Sequence, residues 1–235
     1  MTRTYTLHYA PDNASLIIRL ALDEIGVPYS TALVDRAAQA QTLPAYRTLN
    51  PAGLIPVLET PQGPVFETGA ILLWLAERHD ALAPAPADPH RGAFLKWLFF
   101  VSNTLHADLR LTFYPGLYAG PDRKNQTALR RTVQTRIKRH LGLLDDLAST
   151  KPVWLTPRTP SVLTLYIACL MRWMALYPTD SDRGWFALSD TPHLRDLLRG
   201  LETRPSVLIA QQAEGLGPTP FTAPHYATPP KGSPT

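Results

Sequence analysis

The stretch ALAPAPADP, Ala81 to Pro89, divides this chain and limits what it can fold into. Pro84, Pro86 and Pro89 each lack a backbone N–H and fix φ, so neither a helix interior nor a central strand runs through them. The residue patterns on its two sides differ. Before it, short alternating runs rich in Thr, Tyr and Val trade places with runs of helical period; after it, every periodic segment is helical. RTYTLHYA, from Arg3, predicts a strand; SLIIRLALDEIG predicts a helix that Ser15 caps and Gly26 ends; VPYSTALVD predicts a second strand. A short helix is expected near Pro44 to Leu49. LIPVLET and GPVFET predict two strands around a PQG hairpin turn, followed by the amphipathic helix TGAILLWLAERHD with Thr68 near its start.

The first part therefore reads βαβαββα with a mixed four-stranded sheet, over residues 1–80. Residues 81–89 form the linker, 90–216 an all-helical bundle domain, and 217–235 a Pro-rich tail that is extended or ordered by docking. Within the bundle, HRGAFLKWLFFVSNTLHADLRLTFY predicts one long central helix and DRKNQTALRRTVQTRIKRHLGLLDDLAS a long amphipathic one. SVLTLYIACLMRWMALY is almost entirely apolar and should be buried; two short helices, broken at Pro205, complete the bundle.

Composition narrows the function classes. At 45% hydrophobic and 18% charged residues, the chain is globular. Its net charge of +4 is modest, and the basic run LRRTVQTRIKRH spreads its charges around a helix as a solvated surface does, so neither nucleic acid nor a membrane is an expected partner. Cys169, the only cysteine, lies in an apolar run and reads as a buried, inert thiol; no intrachain disulfide can form and no metal site is expected. There is no apolar leader and no uninterrupted apolar stretch of about 18 residues, so a cytoplasmic location is expected.

Chemistry is concentrated in LNPAGLIPVLETPQGPVFETGAILLWLAE, Leu49 to Glu77. Its Asn50-Pro51-Ala52-Gly53 turn, Ile55-Pro56-Val57-Leu58 strand and Glu67-Thr68 pair opening a helix resemble the core signature of the cytosolic glutathione S-transferases. The resemblance is specific over the first 80 residues and extends more weakly to about residue 215. It implies a thioredoxin-like α/β domain joined to an all-α domain, a homodimer, and glutathione as co-substrate with no permanently bound cofactor. Pro56 would take the cis form, which proline adopts at little cost, turning the Ile55 backbone toward the cysteinyl unit of glutathione. Glu67 would take the γ-glutamyl ammonium and Thr68, at the helix start, the carboxylate. Arg36 would meet the glycine carboxylate.

The first turn, in YAPDNASLIIRLAL, then sits where the family keeps the group that holds glutathione's thiolate. Its spacing resembles the bacterial beta-class motif Tyr-x-Pro-x-x-Cys-Ser-Leu, with Ala14 at the cysteine position. A mixed disulfide with the protein is thereby excluded. Three hydrogen-bond donors remain as candidate catalytic groups: Ser15, Tyr9 and Asn13. His106, after Leu105 in the first helix of the second domain, matches a cleft histidine of that class; its usual neighbouring Lys is Ala107, and the position of an Asn supplied by the partner subunit is Phe99. The helix that begins at Ser161 carries Thr164 where the family has Asp, so its capping box is expected to be weak. Phe113, Tyr114, Tyr166 and Trp173 are candidates to line a pocket for an apolar electrophile. The function implied is conjugation of glutathione to such an electrophile. The alternatives are a non-catalytic glutathione- or ligand-binding protein, a dimeric adaptor of this fold, and another glutathione-dependent reaction such as isomerisation or peroxide reduction.

Overall fold

The computed structural model describes residues 5–234; Arg3 and Thr4 of the expected first strand, and Thr235 of the tail, lie outside them. Strand β1 (Tyr5–Tyr9) leads through a tight turn into α1 (Ser15–Ile25) and back to β2 (Tyr29–Leu33), which pairs parallel with β1. A short helix α2 (Pro44–Arg47) precedes β3 (Val57–Thr60), which pairs antiparallel with β1 and forms a hairpin with β4 (Gly63–Phe66). The sheet order is β2-β1-β3-β4, and α3 (Thr68–His79) closes this thioredoxin-like domain. Helix α1 is apolar around most of its circumference because it is covered on several sides: Leu16, Ile17, Ile18, Leu20, Ala21 and Leu22 are fully buried. Gly26 stops it in the left-handed conformation (φ 76°), as its sequence position predicts.

Ser15 does not cap α1. The helix begins at Ser15 itself, and the residue before it, Ala14, offers no side-chain cap. The Ser15 hydroxyl instead donates to the Ala10 carbonyl (3.0 Å) and accepts from the Ala10 N–H (3.3 Å), satisfying the backbone where β1 ends.

The helical region departs from the sequence expectation at one place. The predicted central helix is α4 (Arg91–Phe100) and α5 (His106–Phe113) joined by a π-helical turn, Val101–Leu105. Such a bulge inserts extra backbone on one face, and here that face meets α3. A Cβ on Gly69 would lie 2.9 Å from the Ser102 hydroxyl oxygen, so a larger residue there would force the Ser102 side chain to shift. The bundle continues through α6 (Gly116–Ala119), α7 (Arg123–Ser149), α8 (Val162–Leu176), α9 (Pro192–Leu201) and α10 (Pro205–Glu214), the last two separated at Pro205 as expected. Every residue of α8 except Ala175 is buried.

The capping box of α8 is closed despite its missing acid. Thr164 N–H donates to the Ser161 hydroxyl (3.4 Å), and Ser161 N–H donates to the Thr164 hydroxyl (3.2 Å). A hydroxyl reaches where a carboxylate would because both residues are buried and packed. Ser161→Ala is expected to lower unfolding free energy by about 1 kcal/mol, read as a lower urea midpoint with an unchanged slope.

Candidate active site

The turn between β1 and α1 is held from below. Asp12 adopts a left-handed backbone (φ 49°) and is 4% exposed. Its carboxylate accepts four hydrogen bonds, each 2.8 Å: from Arg172 Nε and Nη2, Trp173 Nε1 and the Tyr177 hydroxyl. Burial, followed by the Asp12 charge, pushes the Tyr177 phenol up, so it donates. The Asp12 N–H donates to Glu214 Oε2 (2.7 Å), and Glu214 Oε1 receives Arg19 Nε (2.7 Å). Sequence reasoning assigned Asp12 no role. The signal that could have found it is Arg172, a lone charge inside the apolar run LYIACLMRWMAL, which requires a buried partner.

This frame decides where the candidate donors point. Ser15 is fully buried, and its hydroxyl is hydrogen-bonded to both the N–H and the carbonyl of Ala10. Tyr9 is 8% exposed and belongs to the core. It shares a sheet face with buried Leu7, and the Arg19 guanidinium lies over its ring at 4.9 Å. Asn13 is half-buried at the start of α1; its Oδ1 accepts the Ala14 N–H (2.8 Å), which leaves the carboxamide NH2 as the side-chain donor of the turn.

The register of the sheet brings the second element alongside. His8 stands opposite Val57, so the chain just before β3, Ile55 and Pro56, runs beside Tyr9 and Ala10. The Ile55–Pro56 peptide is cis. The Asn50-Pro51-Ala52-Gly53 turn supports this loop: Asn50 Nδ2 and the Tyr46 hydroxyl both donate to the Leu54 carbonyl (2.8 and 2.9 Å). Beyond β4, Glu67 is exposed and holds a strained backbone (φ 70°, ψ 118°) directly before α3. Thr68 is 7% exposed, and its hydroxyl acts on the Tyr166 phenol beneath it.

His106 sits under the same helix end. The Tyr166 hydroxyl and His106 Nδ1 are hydrogen-bonded to each other at 2.7 Å. Burial, with a smaller contribution from Arg110, pushes His106 down to about 4, so the imidazole is neutral at physiological pH. Tyr166 (1% exposed) and Trp173 (4%) pack against this ring and are core residues, not pocket lining as expected. Phe113 is half-buried and Tyr114 exposed. Ring contacts continue from Phe113 to Tyr177 (6.3 Å) and from Tyr177 to Tyr226 (5.8 Å). Tyr226 belongs to the tail, whose Pro-rich sequence gives no periodic sign of packing.

The tail is docked along much of its length. Phe221 is 2% exposed, and Glu202 accepts the N–H groups of Phe221 and Thr222. Its end lies against the first turn: a Cβ on Gly232 would come within 2.7 Å of Leu33 and 3.2 Å of Pro11. Arg36 Nη1 donates to the Pro234 carbonyl (2.5 Å) and Nη2 to the Tyr114 hydroxyl (3.0 Å). Among the described residues no group of His, Cys, Asp and Glu could hold a metal ion, and no helix is long and apolar enough to cross a membrane.

Residues 14–78 match the N-terminal domain of glutathione S-transferase. Over its length the chain is 27% identical to a glutathione S-transferase of Xanthomonas campestris, covering 89% of this chain and 98% of that protein. It is similar in structure to the beta-class glutathione S-transferase of Sphingomonas chungbukensis, with TM-score 0.68, 27% identity, and coverage of 88% of this chain and 98% of the other. A sphingomonad glutathione S-transferase complexed with glutathione gives TM-score 0.70 at 26% identity, covering 90% and 100%. Residues 14–78 are thus a glutathione S-transferase N-terminal domain, and the chain as a whole is similar to these enzymes. It is a homologue of these enzymes in both of its parts, the thioredoxin-like domain and the helical region. Relative to the beta-class motif it lacks the thiol, at Ala14, and the adjacent Ser15 hydroxyl is bonded to the Ala10 backbone.

The depressed His106 value gives a signed pH dependence. The unfolded chain protonates this histidine near 6.5 and the folded chain only near 4, so stability falls as pH drops through that window. The melting temperature of the wild type should fall more between those limits than that of His106→Gln, compared by calorimetry at matched ionic strength.

Proposed function

We propose that this chain binds glutathione and conjugates its thiolate to an apolar electrophile. The observation that carries the reading is convergence: the Ile55 backbone, the Glu67–Thr68 helix start and the N-terminus of α1 lie along one edge of the sheet, joined by the β1–β3 register. The Ile55 backbone pairs with the cysteinyl unit. The exposed Glu67 carboxylate takes the γ-glutamyl ammonium, and the backbone N–H groups opening α3 take the γ-glutamyl carboxylate. Because the Thr68 hydroxyl faces Tyr166, the amides rather than that hydroxyl carry this contact. Arg36 meets the glycine carboxylate by exchanging the Pro234 carbonyl for it.

For the thiolate, the structure favours Asn13. The N-terminal end of α1 and the Asn13 NH2 together supply partial positive charge and a donor, the two influences that lower a thiol pKa. Phe113 and Tyr114 offer the apolar wall on which an electrophile would lie. His106, neutral and held by Tyr166 through Nδ1, keeps Nε2 as its remaining polar atom for a ligand. A second copy of the chain would cover the exposed apolar residues Leu54, Phe66 and Phe99. A rival reading, glutathione binding without turnover, draws on the burial of Ser15 and Tyr9.

Calorimetric titration with glutathione, together with conjugation assays on a panel of aryl and alkyl electrophiles, tests the proposal. Saturable binding with turnover supports it, binding alone favours the rival, and no binding at millimolar glutathione sinks both. Asn13→Ala is expected to lower kcat about tenfold, the worth of one hydrogen bond to a charge. Ser15→Ala and Tyr9→Phe should keep the wild-type pH profile of kcat, and Glu67→Ala should raise the glutathione KM about tenfold with little change in kcat. Truncation after Thr228, which releases Arg36 from Pro234, should lower the glutathione KM.

A further inference from the structure

We infer that Asp12 is a positioning residue for the thiol-binding turn, and that Arg172 couples that turn to the C-terminal tail. The inference rests on the glutathione reading above. Asp12 cannot act on a ligand directly. An ionised carboxylate offers about four lone-pair sites, and here Arg172, Trp173 and Tyr177 fill them. What those bonds fix is the backbone. Asp12 is in the left-handed region, and the residue after it is Asn13, followed by the first residues of α1. The direction of the Asn13 side chain and of the amides opening α1 follows from that one residue's φ and ψ.

The groups facing Asp12 come from three helices and the turn itself. Helix α8 and the residue after it supply Arg172, Trp173, Tyr177 and the buried Cys169 thiol; α10 supplies Glu214; α1 supplies Arg19, which pairs with Glu214. The same guanidinium that grips Asp12 also donates to the tail carbonyls of Pro220 (3.0 Å) and His225 (2.9 Å). A movement of the tail between residues 216 and 225 therefore reaches the turn through a single rigid, fully buried fork. Loosening the fork lets the α1 amides wander and leaves the Asp12 charge less compensated near the sulfur. Both changes raise the pKa of bound glutathione thiol.

The test uses Tyr177→Phe, Trp173→Phe and the double variant. Each removes a neutral donor to Asp12 and keeps the Arg172 pair, so no buried charge is orphaned. The readout is the pH midpoint of the thiolate ultraviolet absorbance of bound glutathione, with calorimetric binding and melting temperature measured alongside. The midpoint is expected to rise by about half a unit in each single variant and about one unit in the double, as the loss of hydrogen bonds to a charged group implies. Truncation after Gly217, which removes the Pro220 and His225 acceptors, should move it the same way. A midpoint that stays at the wild-type value in the double variant, even with a lowered melting temperature, overturns the positioning role. An unmoved midpoint in the truncation overturns the coupling to the tail. Failure of the wild type to bind glutathione overturns the functional reading, and the inference with it, before any variant is compared.

Discussion

A guanidinium with no solvent exposure, in the middle of an otherwise apolar helix, governs this molecule. Arg172 loses its hydration on folding, and a buried charge left unpaired would cost more than most folds have to spare. The structure answers with Asp12 on one side and tail carbonyls on the other. That answer has architectural consequences. The β1–α1 turn must come to α8, which brings α1 onto the bundle. Glu214 must come to the same turn to receive the Asp12 N–H, which brings α10 onto α1. A second pair, Glu24 with Arg204 (2.6 Å), fastens the far end of the same interface. The two parts of the chain are thus joined by paired charges set in an apolar surround, and the candidate site lies along that joint.

Much of the fold was legible in the sequence because its determinants are local. Pro205 cannot continue a helix but can start one, Gly26 ends one, and the period of TGAILLWLAERHD sets a helix face without reference to anything distant. The Asn-Pro-Ala-Gly turn and the cis Ile55–Pro56 bond were expected on another ground, the resemblance of this stretch to the family's core signature. The features that escaped depend on partners far away in sequence. Ser15 looks like a cap when only the following apolar run is considered; it ceases to be one because the end of β1 takes its hydroxyl. The π-helical turn at Val101–Leu105 packs its Ser102 against Gly69, more than thirty residues away. For the tail, expected from the sequence to be extended or ordered by docking, the docking partners were out of reach: Arg172, Glu202 and Arg36 hold it by its backbone, which composition cannot reveal.

The candidate site shows the same division. Glu67 and Thr68 were found from a motif and stand at a helix start. The choice among Tyr9, Ser15 and Asn13 was not decidable from residue type, since all three can donate a hydrogen bond. It turns on strand parity for Tyr9 and on the competing Ala10 backbone for Ser15. Likewise Tyr166 and Trp173 are aromatic and near the site, but their polar atoms are spent on His106 and Asp12. Proximity and chemistry were predictable; direction was not.

The span of the Asp12 contacts also orders the events of synthesis. The turn lies among the first 15 residues, yet its N–H partner is 202 residues downstream and its guanidinium partner 160. A domain of this type can form its sheet from early local pairings, and β1, β2, β3 and β4 all precede residue 67. The turn on that sheet has no such option. While the chain is still emerging, Asp12 must be hydrated or paired elsewhere, and it reaches its final conformation only when α8, α10 and the tail arrive. The part of the molecule made first is the part finished last.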